Sequence, residues 1–390
     1  MWGPVEFIPR MTTGPQPILP HAAALDALAA KDRLRALTRT RGRDFTSNDY
    51  LALAESAHLR DAAAHALARG VPLGAGGSRL LRGNHPEHEA LEEEAASFFG
   101  SETTLYFPTG FAANAAIAAT LPRRGDLIVH DALIHASFRD GLEPDRIQVA
   151  QAPHNDVAAM DDIIKGWRAG GGTGQVWIAV ETLYSMDGDR APLAELVRLA
   201  ARHDAMLVLD EAHATGVHGE QGRGLGAAYE GAPNIISLHT CGKALGAAGA
   251  LICLPRLYRD FMVNRGRAFI YSTAPSPLMA AVVRASLKIV AGAEQERAQL
   301  AALVRHAEAG LKKMGLGVSG SQIQPIIIGE DGRAMKLAAA LQERGHDIRA
   351  IRPPTVPEGT ARLRLALTLH AGMADIDALF ADMADHMARL

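Results

Sequence analysis

The chain has 390 residues, 48% of them hydrophobic and 21% charged, with 40 Lys+Arg against 43 Asp+Glu for a net charge of −3. That length gives two or three domains with a sizeable core and excludes a disulfide-stapled miniprotein, while the charge balance excludes a whole-chain electrostatic nucleic-acid binder. The two cysteines, Cys241 and Cys253, form neither a metal-ligand spacing nor a disulfide framework, which points to a reducing, cytoplasmic setting.

Residues 1–20 carry five prolines and read as an irregular arm, not a secretion signal. HAAALDALAAKDRLRAL (21–37) predicts an amphipathic helix. From about residue 50, short apolar runs alternate with helical stretches. LIVH (127–130), VWIAV (176–180), MLVLD (206–210), IISL (235–238) and ALICL (250–254) predict buried strands, with PLAELVRLAARH (192–203) among the helices. This rhythm predicts parallel βαβ units in an open α/β sheet. It changes after about residue 285 to a long helix (285–314), a strand QPIIIG (324–329), a helix around 333–345, a strand ARLRLALTL (361–369) and a final amphipathic helix from about Ala374. The predicted division is an arm and helix over 1–48, a large α/β domain over 49–285 and a smaller α+β domain over 286–390. Charge breaks runs such as 111–121 well short of the ~20 apolar residues that span a bilayer, so no transmembrane segment is expected.

Open parallel sheets bind ligands beyond the carboxyl ends of their strands, and those positions are polar here: Asp210-Glu211-Ala212-His213, Glu181 to Ser185, His239 to Lys243, and His135 after LIVH. The basic residues include only seven lysines, so each can be weighed singly. Lys243 stands between Gly242 and Gly246 with apolar neighbours and no carboxylate in its own segment. It is either an exposed loop lysine or a desolvated amine with a lowered pKa, suited to forming an imine. Asp210 is either a cap or metal ligand, or the acid that keeps a pyridinium protonated. His213 and His135 taken alone are structural histidines; their joint placement at strand ends favours a site. Thr109-Gly110-Phe111 opens a helix whose first-turn N–H groups would face an anion. GAGGSR (74–79) lacks the dinucleotide and phosphate-loop fingerprints and reads as a flexible segment near the site. In ARLRLALTL the alternation sets Leu363, Leu365 and Leu367 against Arg362 and Arg364, either a half-buried strand with a wet face or a carboxylate-binding arginine. Arg33, Arg35, Arg39, Arg41 and Arg43 read mainly as a solvated basic face.

As a set, SNDYLALA (47–54), GAGGSRLLRG (74–83), HEALEEE (88–94), TGFAANAA (109–116), IHAS (134–137), PHNDV (153–157), YSMDGDRAPL (184–193), LDEAHATGVHGEQGRG (209–224), HTCGKALG (239–246), YSTAPSP (271–277) and RPPTVPEGTARLRLAL (352–367) resemble the α-oxoamine synthase family of pyridoxal-phosphate enzymes. The resemblance implies fold type I and an obligate homodimer with its sites at the subunit interface. It makes Lys243 the Schiff-base lysine, Asp210 the partner of the pyridine nitrogen, His213 the ligand of the phenolic oxygen and His135 the residue stacked on the ring. Ser185, Thr240, Gly110 and Phe111 become further cofactor contacts, and Thr273 a phosphate contact from the other subunit. Arg364 is matched to the amino-acid carboxylate, with Asn48, Thr355 and Arg35 as neighbouring substrate contacts; no metal is implied. RPPTVPEGTARLRL is similar to the branch that condenses L-alanine with a pimeloyl thioester, on CoA or acyl carrier protein, to 8-amino-7-oxononanoate in biotin synthesis. Glycine C-acetyltransferase is the alternative within the family, and a non-catalytic nucleotide-binding α/β module the alternative outside it.

Overall fold

A computed structural model describes residues 20–388, so the predicted arm lies outside the described residues apart from Pro20, which opens the helix Pro20–Ala29. A short strand β1 (Arg43–Asp44) precedes β2 (Thr103–Phe107), β3 (Leu127–Asp131), β4 (Gln148–Ala152), β5 (Val176–Glu181), β6 (Met206–Asp210), β7 (Ile235–Thr240) and β8 (Ala250–Leu254). The last seven form one sheet in the order β2-β8-β7-β6-β5-β3-β4. β3 to β7 run parallel, and β8 is antiparallel to both its neighbours. The α/β class expected from the alternating rhythm is the class observed.

These strands read as near-continuous apolar runs because helices cover both faces. Alternate residues serve opposite layers. Ile128, Trp177, Val208 and Ile236 pack toward the helices Gly110–Thr120 and Arg256–Arg265, while Val129, Ile178, Leu207 and Ile235 pack toward Val157–Ala169 and Leu193–Arg202. Each such side chain contributes about 1.5–3 kcal/mol by leaving water, so a one-residue slip that reversed the faces would lose the whole set. The sequence reading missed β2 and β4. β4, QVAQA, is an edge strand with two exposed glutamines and two small alanines among its five residues, and so lacks the apolar signature.

A second sheet is built from β9 (Ile323–Gly329), β11 (Ala350–Ile351) and β12 (Ala361–Ala366) in the order β11-β12-β9, all antiparallel; β10 (His346–Asp347) pairs instead with β1, in parallel. Leu363 and Leu365 pack with Leu337, Leu341, Ile376 and Leu379 from the helices Asp331–Glu343 and Met373–Met387. Phe45, Tyr50, Leu51 and Leu53 join the same core, so the segment after the first helix is built into the C-terminal layer.

Four expectations need correction. The helix over 21–37 ends at Ala29 and Asp32 turns left-handed (φ 55°), because none of its residues is buried, so no packing among the described residues sustains it. The helix over 285–314 is two helices, Pro277–Ala291 and Glu294–Lys313, broken at Gly292, where the guanidinium of Arg297 takes the freed Val290 carbonyl at 2.6 Å. β12 has no wet face: Arg362 and Arg364 are 3% and 7% exposed, because the alternate face turns toward the large sheet. GAGGSR is also not loose. Arg79 is buried in a two-pronged pair with Glu92 (2.7 and 3.1 Å), and Gly77 O accepts from Ala274 N. Among the described residues no helix is long and apolar enough to cross a membrane.

Candidate functional site

A cavity of about 360 Å³ forms where the carboxyl ends of β5, β6 and β7 and the chain beyond β3 meet the amino end of the helix Gly110–Thr120. Thr109 caps that helix, its hydroxyl accepting from Ala112 N at 3.0 Å. The N–H groups of Gly110 and Phe111 have no acceptor within the helix, and the helix dipole adds positive potential there. Glycine is needed at 110 because a Cβ would lie 2.6 Å from Cγ2 of Thr240. This is a cradle for an anion such as a phosphate.

Asp210 closes β6 with its carboxylate held on both sides: Oδ1 accepts from Ala212 N at 2.9 Å and Oδ2 from Nδ2 of Asn114 at 2.6 Å. The same amide nitrogen lies 3.1 Å from Oγ of Ser137, which meets Nδ1 of His135 at 2.7 Å. Asn114 thus orients the acid and, through Ser137, the imidazole.

Lys243 follows β7, and its loop is pressed against the segment 47–54. At Gly246 (φ +62°) a Cβ would lie 2.6 Å from Ala54 N. Lys243 Nζ lies 2.8 Å from Nε2 of His213, whose Nδ1 lies 2.6 Å from the Tyr50 hydroxyl. Tyr50 donates to Oδ1 of Asn48 at 3.1 Å, and that oxygen also accepts from Nη2 of Arg364 at 3.0 Å. With the guanidinium fixing Asn48 as acceptor, Tyr50 must donate to it. His213 then donates from Nδ1 to Tyr50 and presents Nε2 as an acceptor toward Lys243.

The electrostatics agree with this tautomer. Burial, then the charges of Lys243 and Arg364, holds the pKa of His213 well below its ordinary value, so the ring is neutral. Burial pushes the Lys243 amine down to about 8, against the pull of Asp210 and Glu181. These carboxylates reach Lys243 from other strands, although its own segment has none. Burial and then Asp210 raise the Glu181 carboxyl to about 8. One oxygen of Glu181 accepts from Ser185 N at 3.0 Å; the other oxygen and Oδ1 of Asn114 are buried at the cavity wall without a partner among the described residues. Orphaned polar atoms of this kind suit a site that holds a polar ligand.

Gly110, Phe111, His135, Asp210, His213, Thr240 and Lys243 therefore come together in one cavity. His135 also lines an adjoining cavity of about 570 Å³ with Ser185, Arg35 and Thr355; Arg35 Nη2 donates to Thr355 Oγ1 at 3.1 Å. Arg364 stands beside them, donating from Nε to Ser185 O at 2.6 Å as well as to Asn48. Thr273 is exposed and lines neither cavity. Of the arginine series, Arg33 pairs with Asp331 and Glu358 and Arg43 with Asp375, so these two are structural. Sequence reasoning places Glu181 among the polar strand ends without giving it a role, and it misses Tyr50 and Asn114 as site residues. Each carried a signal: Glu181 ends a strand, Asn114 lies one helical turn beyond Gly110, and Tyr50 lies two residues after Asn48.

Residues 41–376 match the family described as aminotransferase class I and II. The chain is 42% identical over 346 residues to an 8-amino-7-oxononanoate synthase from Herminiimonas arsenicoxydans, covering 86% of this chain and 88% of the relative. Among solved structures it is similar to an 8-amino-7-oxononanoate synthase from Francisella tularensis (26% identity, TM-score 0.76, 89% of this chain and 98% of that one). It is also similar to a serine palmitoyltransferase variant from S. paucimobilis solved with a bound PLP–myriocin aldimine (25% identity, TM-score 0.85, 95% and 98%). Residue match, sheet topology and coverage agree: the chain belongs to the aminotransferase class I and II family and groups within it with the 8-amino-7-oxononanoate synthases.

Proposed function

We propose that the protein is a pyridoxal-phosphate-dependent acyltransferase that condenses L-alanine with a pimeloyl thioester to 8-amino-7-oxononanoate, releasing CO2 and the free thiol. The observation that carries this reading is the meeting of Lys243, Asp210 and His213 opposite the amino end of the helix Gly110–Thr120. Those residues fit the cofactor: an anion cradle at Gly110 and Phe111, a carboxylate for the ring nitrogen at Asp210, an amine for the aldehyde at Lys243, and unpartnered polar atoms at the wall. Bound there, pyridoxal phosphate supplies an electron sink that acidifies the Cα–H of an attached amino acid.

The chain's own groups supply the rest. Lys243 Nζ, with its pKa lowered to about 8, serves as the base for the Cα proton near neutral pH. Arg364, held by Asn48 and the Ser185 carbonyl, presents its guanidinium to the substrate carboxylate. His135, at the wall of the same cavity, would help hold the cofactor ring. Arg35, Thr355 and Ser185 line the adjoining cavity, which receives the acyl donor. In the overall reaction a Cα–C bond forms to the thioester carbonyl, the C–S bond breaks with the thiolate leaving, and the alanine carboxylate departs as CO2. A proton then returns to Cα.

A cytoplasmic homodimer is part of this reading, with Thr273 serving the neighbouring subunit's site; the exposed apolar side chains of Leu73, Leu81 and Tyr271 support a covered face near that segment. Lys243→Ala is expected to abolish the visible absorbance of lysine-bound cofactor and lower kcat by about 10⁴-fold. A normal spectrum and rate would overturn the lysine's role. Pairing alanine, glycine and serine with pimeloyl, acetyl, succinyl and palmitoyl thioesters tests the substrates. Preference for glycine with acetyl-CoA would overturn the alanine and pimeloyl reading, and the same assay on CoA and acyl carrier protein identifies the carrier.

A further inference from the structure

His135 and Ser185 face the adjoining cavity from two different loops, one after β3 and one after β5. The second loop is closed on itself by the Leu183–Arg190 bridge and by Tyr184 N donating to the Asp189 carbonyl, but among the described residues no backbone hydrogen bond joins it to the first. Between them, outside both cavities, lies His154. Its Nδ1 is 2.9 Å from Oδ1 of Asp131, at the root of the first loop, and its Nε2 is 2.7 Å from Oδ2 of Asp189, in the second. Ionised carboxylates only accept, so an imidazole bonded to one at each nitrogen carries both protons and a positive charge. Asn155, in the left-handed region at φ +55°, repeats the bridge. Its backbone N donates to Oδ2 of Asp131 at 2.7 Å, and its side-chain amide donates to Asp189 at 2.9 Å and to the Arg190 carbonyl at 3.2 Å.

Other contacts carry this bridge to the cavity. Asp131, with no exposed surface, also accepts from Leu133 N at 2.7 Å and so shapes the turn toward His135. Tyr184, immediately before Ser185, packs edge-on against His154 with ring centroids 4.4 Å apart. The far side of the second loop is tied by Asp187 to Arg362. Burial would lower the pKa of His154, but the hydrogen bonds to Asp131 and Asp189 outweigh it and raise it to about 10, in agreement with the geometry.

We propose that His154 is a positioning residue: with Asn155 it forms a cationic clamp between Asp131 and Asp189 that sets the spacing of the His135 and Ser185 loops, and so the width of the cavity receiving the acyl donor. The assignment of that cavity rests on the proposed function; the clamp itself does not. Two variants test it, His154→Gln, which is neutral, and Asp189→Asn, which changes a rim side chain that is 38% exposed.

In the apoprotein, hydrogen exchange at 132–136 and 183–189 is expected to speed up together, by about tenfold or more, in both variants. In the holoenzyme the lysine-bound absorbance persists, since Lys243 and Asp210 are untouched, while KM for pimeloyl-CoA rises about tenfold with kcat nearly unchanged, equivalent to about 1.4 kcal/mol of binding. Unchanged exchange in both loops, or faster exchange in one loop alone, overturns the clamp whatever the activity. Coupled exchange with KM unchanged overturns the link to the cavity. A wild-type protein that shows the clamp but binds no pyridoxal phosphate would instead overturn the proposed function. Should His154→Gln fail to fold, Asp189→Asn carries both measurements.

Discussion

The main cavity and the cavity adjoining it are assembled by different means. Asp210, Glu181, Thr240 and Lys243 stand at or just beyond the ends of neighbouring parallel strands, so one sheet fixes their mutual placement. Arg364, Asn48, Arg35 and Thr355 come from opposite ends of the chain: the Arg364–Asn48 and Arg35–Thr355 contacts span 316 and 320 residues. The first region is rigid because it inherits the order of a buried sheet. The Arg364–Asn48 contact forms only when the segment 43–53 has docked onto β10 and β12, through Arg43 to His346 and the Phe45 carbonyl to Ala366 N. Under the proposed function, this arrangement puts the chemistry on the sheet and substrate recognition on the docked layers.

Four measurements can break or sharpen this contrast. Asp210→Asn removes the charge but keeps the shape, and kcat is expected to fall by roughly 10²–10³-fold with alanine KM little changed; an equal loss in KM would mean that the acid also orients substrate. Arg364→Lys keeps the charge but loses the fork. KM for alanine should then rise by about 30-fold, near 2 kcal/mol, while the cofactor spectrum holds. A disturbed spectrum would show that the docked layer also shapes the sheet-end site.

The third measurement is the pH dependence of cofactor uptake by the apoprotein. The neutral amine attacks the aldehyde, and burial lowers Lys243 to about 8, so uptake should quicken about tenfold per pH unit below 8 and level off above it. A plateau reached only near pH 10 would show an exposed, ordinary lysine. Tyr50→Phe should have the smallest effect. It removes the acceptor for His213 Nδ1 and should cost about 1–2 kcal/mol of unfolding free energy, read from denaturant titration, with kcat lowered several-fold. An unchanged kcat would confine Tyr50 to stability.

The sequence by itself determined the class of fold and the placing of polar residues at the sheet ends. Apolar runs such as MLVLD and IISL specify buried strands, and a polar residue at the end of such a run has nowhere to point but the crevice beyond the sheet; Asp210, His213 and Lys243 were legible for that reason. Periodicity is local, so it could not show that the 285–314 helix breaks at Gly292 or that Arg362 and Arg364 are buried against the large sheet. Only tertiary structure decided the partners. Asn114 bonds Asp210 across 96 residues and Tyr50 meets His213 across 163, distances at which neither motif spacing nor propensity carries information. The same holds for charge. Burial lowers Lys243 against the pull of Asp210 and Glu181, and burial with Asp210 raises Glu181; both effects come into being only when the strands are brought side by side.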